Sequence, residues 1–158
     1  MNTKSNPTPE AQPISKERLR LWLKLLKASS LVEGEIRRRL RSECDWTLPR
    51  FDVMSALSRA PDGLKMSEIS KLLRVSNGNV TGIVDKLTQE GLALRVAVPG
   101  DRRANLVRLT PRGQELFAQH ASAHEAWINE ILGGLDADDV DGMILRLDHL
   151  TEHLENDT

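Results

Sequence analysis

The side chains with the most chemical promise in this chain are cations and short polar groups. Arg102 and Arg103 stand beside Asp101 in the segment Pro99-Gly100-Asp101-Arg102-Arg103-Ala104-Asn105. A guanidinium is the group that most readily enters a narrow minor groove, where negative potential is concentrated. Asp101 is suited to hold such an arginine in place by a bidentate pair before contact. The plainer alternative is an exposed turn with a surface ion pair worth about 0–1 kcal/mol. A second group, Ser76, Asn77, Asn79, Thr81 and Lys86, is interleaved with Gly78 and Gly82. These short donors and acceptors match base edges and phosphates. The glycines would let a backbone approach a flat or grooved partner. A surface helix with ordinary polar residues is the competing interpretation of this group.

Placing these groups requires a helix and a hairpin. At about 100° per residue, Val80, Ile83, Val84 and Leu87 fall on one face, which is the core face. Gly78, Gly82, Asp85 and Gln89 fall opposite. Two glycines on an exposed helix face cost roughly 1 kcal/mol each against alanine, so a close partner is expected to compensate. Asp85 is unsuited to phosphate, and its expected partner is a neighbouring Arg or Lys. Ser76 is a plausible cap for this helix, which Gly91 should end. The apolar period then changes from about 3.6 to about 2 residues. Residues 92–98 and 106–109 alternate like two strands, with the basic segment 99–105 as the connecting tip.

The flanking sequence is helical. A first helix is expected from near Ser15 to about Ser42–Asp45, with Glu17 in its first turn as a candidate capping partner. Leu19, Trp22, Leu26, Val32, Ile36 and Leu40 recur largely at helical spacing along it. A second begins near Pro49 and presents Phe51, Val53, Met54 and Leu57. A third opens around Met66-Ser67-Glu68. Thr110-Pro111 caps and opens a fifth helix running to about Leu132, which Gly133-Gly134 breaks. A sixth starts around Asp136–Asp139, with Val140, Met143, Ile144, Leu147, Leu150 and Leu154 close to a heptad stripe.

Composition narrows the function classes. Aromatic residues make up 3% of the 158 and tyrosine is absent, so aliphatic side chains must fill the core. The net charge of −1 conceals an asymmetry: residues 1–49 carry net +4, residues 50–112 net +5 and residues 113–158 net −10. A basic front and acidic back suit a protein that holds a polyanion on one side. No apolar run approaches the roughly 20 residues of a membrane span. The polar N-terminus, with Pro7, Pro9 and Pro13, lacks a signal peptide's apolar segment, which points to a disordered tail on a cytoplasmic protein. No nucleophile–base pair, phosphate-cradling glycine loop or clear metal site appears, so an enzyme is not expected and no cofactor is implied. A helical adaptor would explain the last helix's stripe but neither the arginine tip nor the glycine face.

The segments Met66-Ser67-Glu68-Ile69-Ser70-Lys71-Leu72-Leu73, Val80-Thr81-Gly82-Ile83-Val84-Asp85-Lys86-Leu87, Gly91-Leu92, Asp101-Arg102-Arg103 and Val107-Arg108-Leu109-Thr110-Pro111-Arg112-Gly113 resemble the MarR family of bacterial transcriptional regulators. The resemblance covers roughly residues 16–155. It implies a mainly α fold with a small β-hairpin, a winged helix-turn-helix with flanking dimerisation helices. The expected layout is a disordered tail at 1–14, a dimerisation helix at 15–45, the winged module at 46–112 and dimerisation helices at 113–158. It further implies a homodimer on palindromic double-stranded DNA, with Arg103 in the minor groove, and an anionic effector bound between the dimer helices and the winged module.

Candidate effector residues at that place are Arg37, Arg38 and Arg41, with Trp46 and Phe51 just after them. Guanidinium beside aromatic surface suits an aryl carboxylate, and an aryl-CoA thioester better still, because several arginines can hold its phosphates. Arg37-Arg38-Arg39-Leu40-Arg41, Leu48 to Met54 and Val75 to Val80 also resemble the family's regulators of aromatic-acid catabolism. Against this stands a role for these arginines at DNA phosphates or at the helix end. Two other sensors are open. Cys44 has Arg41 nearby, but Glu43 and Asp45 flank it and oppose thiolate formation. His120 with His124, and His149 with His153, are i,i+4 pairs of the kind that bind zinc. The expectation is a repressor released by its ligand.

Overall fold

A computed structural model describes residues 13–73 and 77–157, with the side chains of residues 77, 78, 102 and 103 outside the description. Ser76 and most of the expected N-terminal tail therefore lie outside the described residues.

Helix α1 spans Ile14–Arg39 and starts without a side-chain cap, so Glu17 does not close its first turn. It passes directly into a π-helical turn, Leu40–Cys44, which ends at Asp45 in the left-handed region (φ 56°). Helix α2, Leu48–Ser58, is capped by Thr47, whose hydroxyl accepts from the Arg50 amide at 3.3 Å, with Pro49 in the first turn where no amide is needed. Strand β1 is Leu64–Lys65, α3 is Met66–Leu73 and α4 is Asn77–Gln89. Strands β2 (Ala93–Val98) and β3 (Asp101–Leu109) lead to α5, Pro111–Ile131, and α6, Ala137–Asn156. Helix α6 opens with a reciprocal capping box between Asp136 and Asp139.

The fold is mainly helical, as the sequence implies, but the sheet has three antiparallel strands in the order β1-β3-β2. β1 was not expected. Leu64 pairs with Val107 and Lys65 with Leu106, so β3 is the central strand. The hairpin also differs at its tip. The turn is confined to Pro99-Gly100, and β3 begins at Asp101 instead of near Leu106. Ala97 faces Asn105 while Val98 faces Asp101, so residues 102–104 fall in an irregular stretch of β3 with no matching residues on β2. Such an irregularity redirects side chains and increases twist. The two arginines thus sit in the arm of the wing, beyond its turn.

The core lies in the winged module. Val53, Met54, Leu57, Ile69, Val80, Val84, Leu87 and Val107 are almost wholly buried, joined by Ile36 from the end of α1, Leu40 from the π-helical turn and Trp127 from α5. The outer helices behave differently. Leu19, Trp22 and Leu26 of α1 and Met143, Ile144, Leu147, Leu150 and Leu154 of α6 are exposed, and α6 has no buried residue at all.

Candidate nucleic-acid interface

Helix α4 presents the two faces that its spacing implies. Val80, Val84 and Leu87 are buried and Ile83 half-buried, while Asn79, Thr81, Gly82, Asp85 and Lys86 are exposed. A Cβ placed on Gly82 would meet nothing within 4 Å, so no packing inside the chain requires a glycine there. Gly82→Ala is expected to raise stability by about 1 kcal/mol, the helix-propensity gain at an exposed position. It should at the same time weaken DNA binding about tenfold if the bare backbone approaches a groove. Denaturation and a binding titration on the same preparation check both; unchanged DNA affinity would assign that glycine to no contact.

Two ion pairs fix α4 relative to its neighbours. Asp85 accepts from the Arg95 guanidinium of β2 at 2.5 Å, the pairing expected for a carboxylate unsuited to DNA. Both side chains are exposed, so its contribution to stability is small; its effect is to tie the wing to the recognition face. The second pair was not foreseen. Arg50, at the start of α2, donates to Glu90 just beyond the end of α4 at 2.5 Å. That hydrogen bond holds the Glu90 carboxyl below its usual range. The Arg50 guanidinium also lies 4.9 Å from the centre of the Trp46 ring, and its Nε is buried without a hydrogen-bond partner. The signal in the sequence was only an arginine beside Pro49, with nothing to indicate a partner forty residues away.

The effector candidates separate into two sets. Arg37, Arg38, Arg41 and Trp46 line one cavity of about 460 Å3, with Leu48 and Pro49 completing its apolar wall. Phe51 does not line it. Helix α2 turns Phe51 inward, where it stacks on His124 with ring centres 4.7 Å apart and meets Phe117 at 5.3 Å. Trp46 is itself largely buried, with the His120 ring edge-on at 4.2 Å.

The arginines are not equivalent. Arg38 donates twice to Glu35, at 2.7 and 3.1 Å, and Arg39 joins Glu35 to Glu130 of α5. With two guanidinium donors, Glu35 is lowered to about 2. Arg37 is 3.8 Å from Glu33, both well exposed. Arg41 makes no ion pair among the described residues.

The sensor alternatives find little support in these surroundings. Burial, aided by Glu43, pushes the Cys44 thiol up, opposite to what a reactive thiolate requires. Burial lowers both His120 and His124, and both face aromatic rings of the 46–51 segment. No group of three or more metal-ligating side chains occurs among the described residues.

Asp101 interacts within the protein, as do Asn79 and Thr81. The Arg102 and Arg103 side chains, and those of Asn77 and Gly78, lie outside the description, so an Asp101–Arg103 pair remains an expectation from the sequence.

A family model described as the MarR family matches residues 45–104, the segment from the end of the π-helical turn to the wing. The transcriptional activatory protein BadR of Rhodopseudomonas palustris is 27% identical over 124 residues, 77% of this chain and 70% of that protein. The crystal structure of a MarR family transcriptional regulator from Silicibacter pomeroyi superposes with a TM-score of 0.74 at 31% identity, covering 91% of this chain and 99% of that one. A mutant MarR from E. coli complexed with operator DNA superposes with a TM-score of 0.71 at 26% identity, covering 85% and 95%. The exposed face of α4 around Gly82, the wing tied to it through Asp85 and Arg95, and these likenesses together show that this chain belongs to the MarR family of winged helix-turn-helix transcriptional regulators.

Proposed function

We propose that this chain is a dimeric, ligand-responsive repressor that binds palindromic double-stranded DNA and leaves it when a small aromatic acid or its CoA thioester binds. The observation that carries the ligand reading is the cavity of about 460 Å3 in which Arg37, Arg38, Arg41 and Trp46 meet at the joint between α1 and the winged module. Its size is ordinary for a small-molecule site. Trp46, largely buried, reaches the cavity wall beside Leu48 and Pro49, and the arginines offer charge to a carboxylate or to phosphates.

DNA binding is supported by the E. coli relative seen with operator DNA and by the surface chemistry of α4. In a two-fold dimer the two α4 helices enter successive major grooves roughly 34 Å apart, with Ser76, Asn77, Gly78, Asn79, Thr81, Gly82 and Lys86 toward the groove. The wing brings Asp101, Arg102 and Arg103 to the adjacent minor groove. No helix among the described residues is long and apolar enough to cross a membrane, and a cytoplasmic location is part of the proposal.

Gel shifts with the DNA upstream of its own gene test the reading. Binding should fall steeply with salt, and Arg103→Ala should weaken it by about tenfold or more while the dimer persists. A panel of aromatic acids and their CoA thioesters should then release the DNA. Salt-insensitive or absent binding to any palindromic site would remove the DNA reading. A panel with no active member would remove the effector reading. BadR is described as activatory, so reporter expression, up or down, decides the sign.

A further inference from the structure

Arg41 and Thr47 line two cavities at once. One is the effector cavity just described. The other, of about 290 Å3, lies on the side of α4 and is lined by Arg41, Asp45, Thr47, Arg50, Ile83 and Lys86. Three different elements thus contribute a cation to it: the π-helical turn, the start of α2 and the recognition helix. Asp45 is the one carboxylate in the lining and Glu90 pairs with Arg50, so a single positive charge is left over there. The donors differ in what they can offer. Arg41 makes no ion pair among the described residues, whereas Arg50 is held by Glu90 and its Nε is buried out of a ligand's reach.

We infer that this second cavity is a phosphate subsite, and that the effector is a phosphate-bearing aryl conjugate that spans both cavities past Arg41. The inference rests on the effector reading of the first cavity and deepens it. The aryl group lies against Trp46, Leu48 and Pro49, and phosphate oxygens accept hydrogen bonds from Arg41 and Lys86. A free aromatic acid fills only the first cavity and does not reach Lys86. Lys86 belongs to the exposed face of α4, so a phosphate that engages it both draws α4 toward the α1–α2 joint and withdraws a cation from DNA. Effector and operator then compete for the same ammonium group, and each weakens the other's binding by the same factor.

Calorimetry on the full chain without DNA tests this, because Lys86 substitutions also affect the operator. Benzoyl-CoA, benzoate and pyrophosphate are titrated at one ionic strength. Benzoyl-CoA is expected to bind at least about tenfold tighter than benzoate, the scale of one charge-assisted hydrogen bond. Lys86→Ala and Arg41→Ala should each weaken benzoyl-CoA about tenfold, and Lys86→Ala should leave benzoate unchanged, because Lys86 lies outside the first cavity. Pyrophosphate should compete with benzoyl-CoA in the wild-type protein. Equal affinity for acid and thioester, or variants that bind the thioester like the wild type, would overturn the subsite. If pyrophosphate binds and is lost in both variants while no aryl compound binds, the phosphate subsite stands and the aryl cavity falls.

Discussion

Gly113→Ala is expected to destabilise the protein by about 3 kcal/mol or more, the upper range for forcing atoms into a packed site. At this chain length that is a fall of roughly 6–12 °C in Tm. A Cβ built on Gly113 would lie 1.9 Å from the Leu92 carbonyl oxygen and 2.9 Å from its carbonyl carbon, both backbone atoms that no rotamer change can move. The neighbourhood is locked by Thr110. Its hydroxyl accepts from the Gly113 amide at 3.0 Å, capping α5, and donates to the Gly91 carbonyl at 2.7 Å. Its amide donates to the Leu92 carbonyl at 3.0 Å. The start of α5 is therefore fastened to the turn that ends α4. Thermal unfolding of Gly113→Ala beside Gly82→Ala makes the contrast: one glycine is required by a backbone contact, the other by nothing inside the chain. A Gly113→Ala protein with wild-type Tm would show that the two backbones separate freely.

The spacing Leu109-Thr110-x-x-Gly113 was legible as a helix start and as a family signature, yet its packing role was not. That role depends on where Leu92 comes to lie, and no local pattern encodes it. Helix α4 was legible because its core face and exposed face belong to one element with one period. The π-helical turn was hidden for the opposite reason: Ile36 and Leu40 continue the helical spacing into it, so the change from i→i+4 to i→i+5 bonding leaves no mark on the apolar pattern. Phe51 follows a basic cluster in the sequence, which suggests ligand surface. The helix that starts at Leu48 rotates it into the core instead. The Arg50–Glu90 pair was invisible, since a long-range partner cannot be chosen from 23 acidic residues by sequence alone.

Leu147→Glu combined with Leu150→Glu is expected to convert the proposed dimer to monomers and to lower operator affinity by roughly 100-fold or more. Linking two half-site contacts through one dimer multiplies affinity by about 10²–10⁴, and that factor disappears with the dimer. Leu147 and Leu150 are 43% and 49% exposed on a helix with no buried residue, and Leu154 and Met143 continue the same stripe. The core of the winged module is elsewhere, so the module should remain folded. Sedimentation or light scattering reports the assembly, circular dichroism the helix content, and a titration the operator affinity. Monomers that retain full operator affinity would show that each module binds alone. A variant that stays dimeric would move the interface off α6.

Strand β1 is two residues long, but it closes the chain on itself: Leu64 pairs with Val107, and everything between them, including α3 and α4, forms the enclosed loop. Local pairing within the wing and local coiling of each helix can proceed early, whereas joining Leu64 to Val107 must first overcome the chain entropy of a long loop. That penalty is repaid only when Val107 becomes buried against the helices. Closure is therefore placed late in folding, as with other distant contacts. The helices can form with α4 still unoriented, so in slow refolding experiments helix content should return before operator binding does.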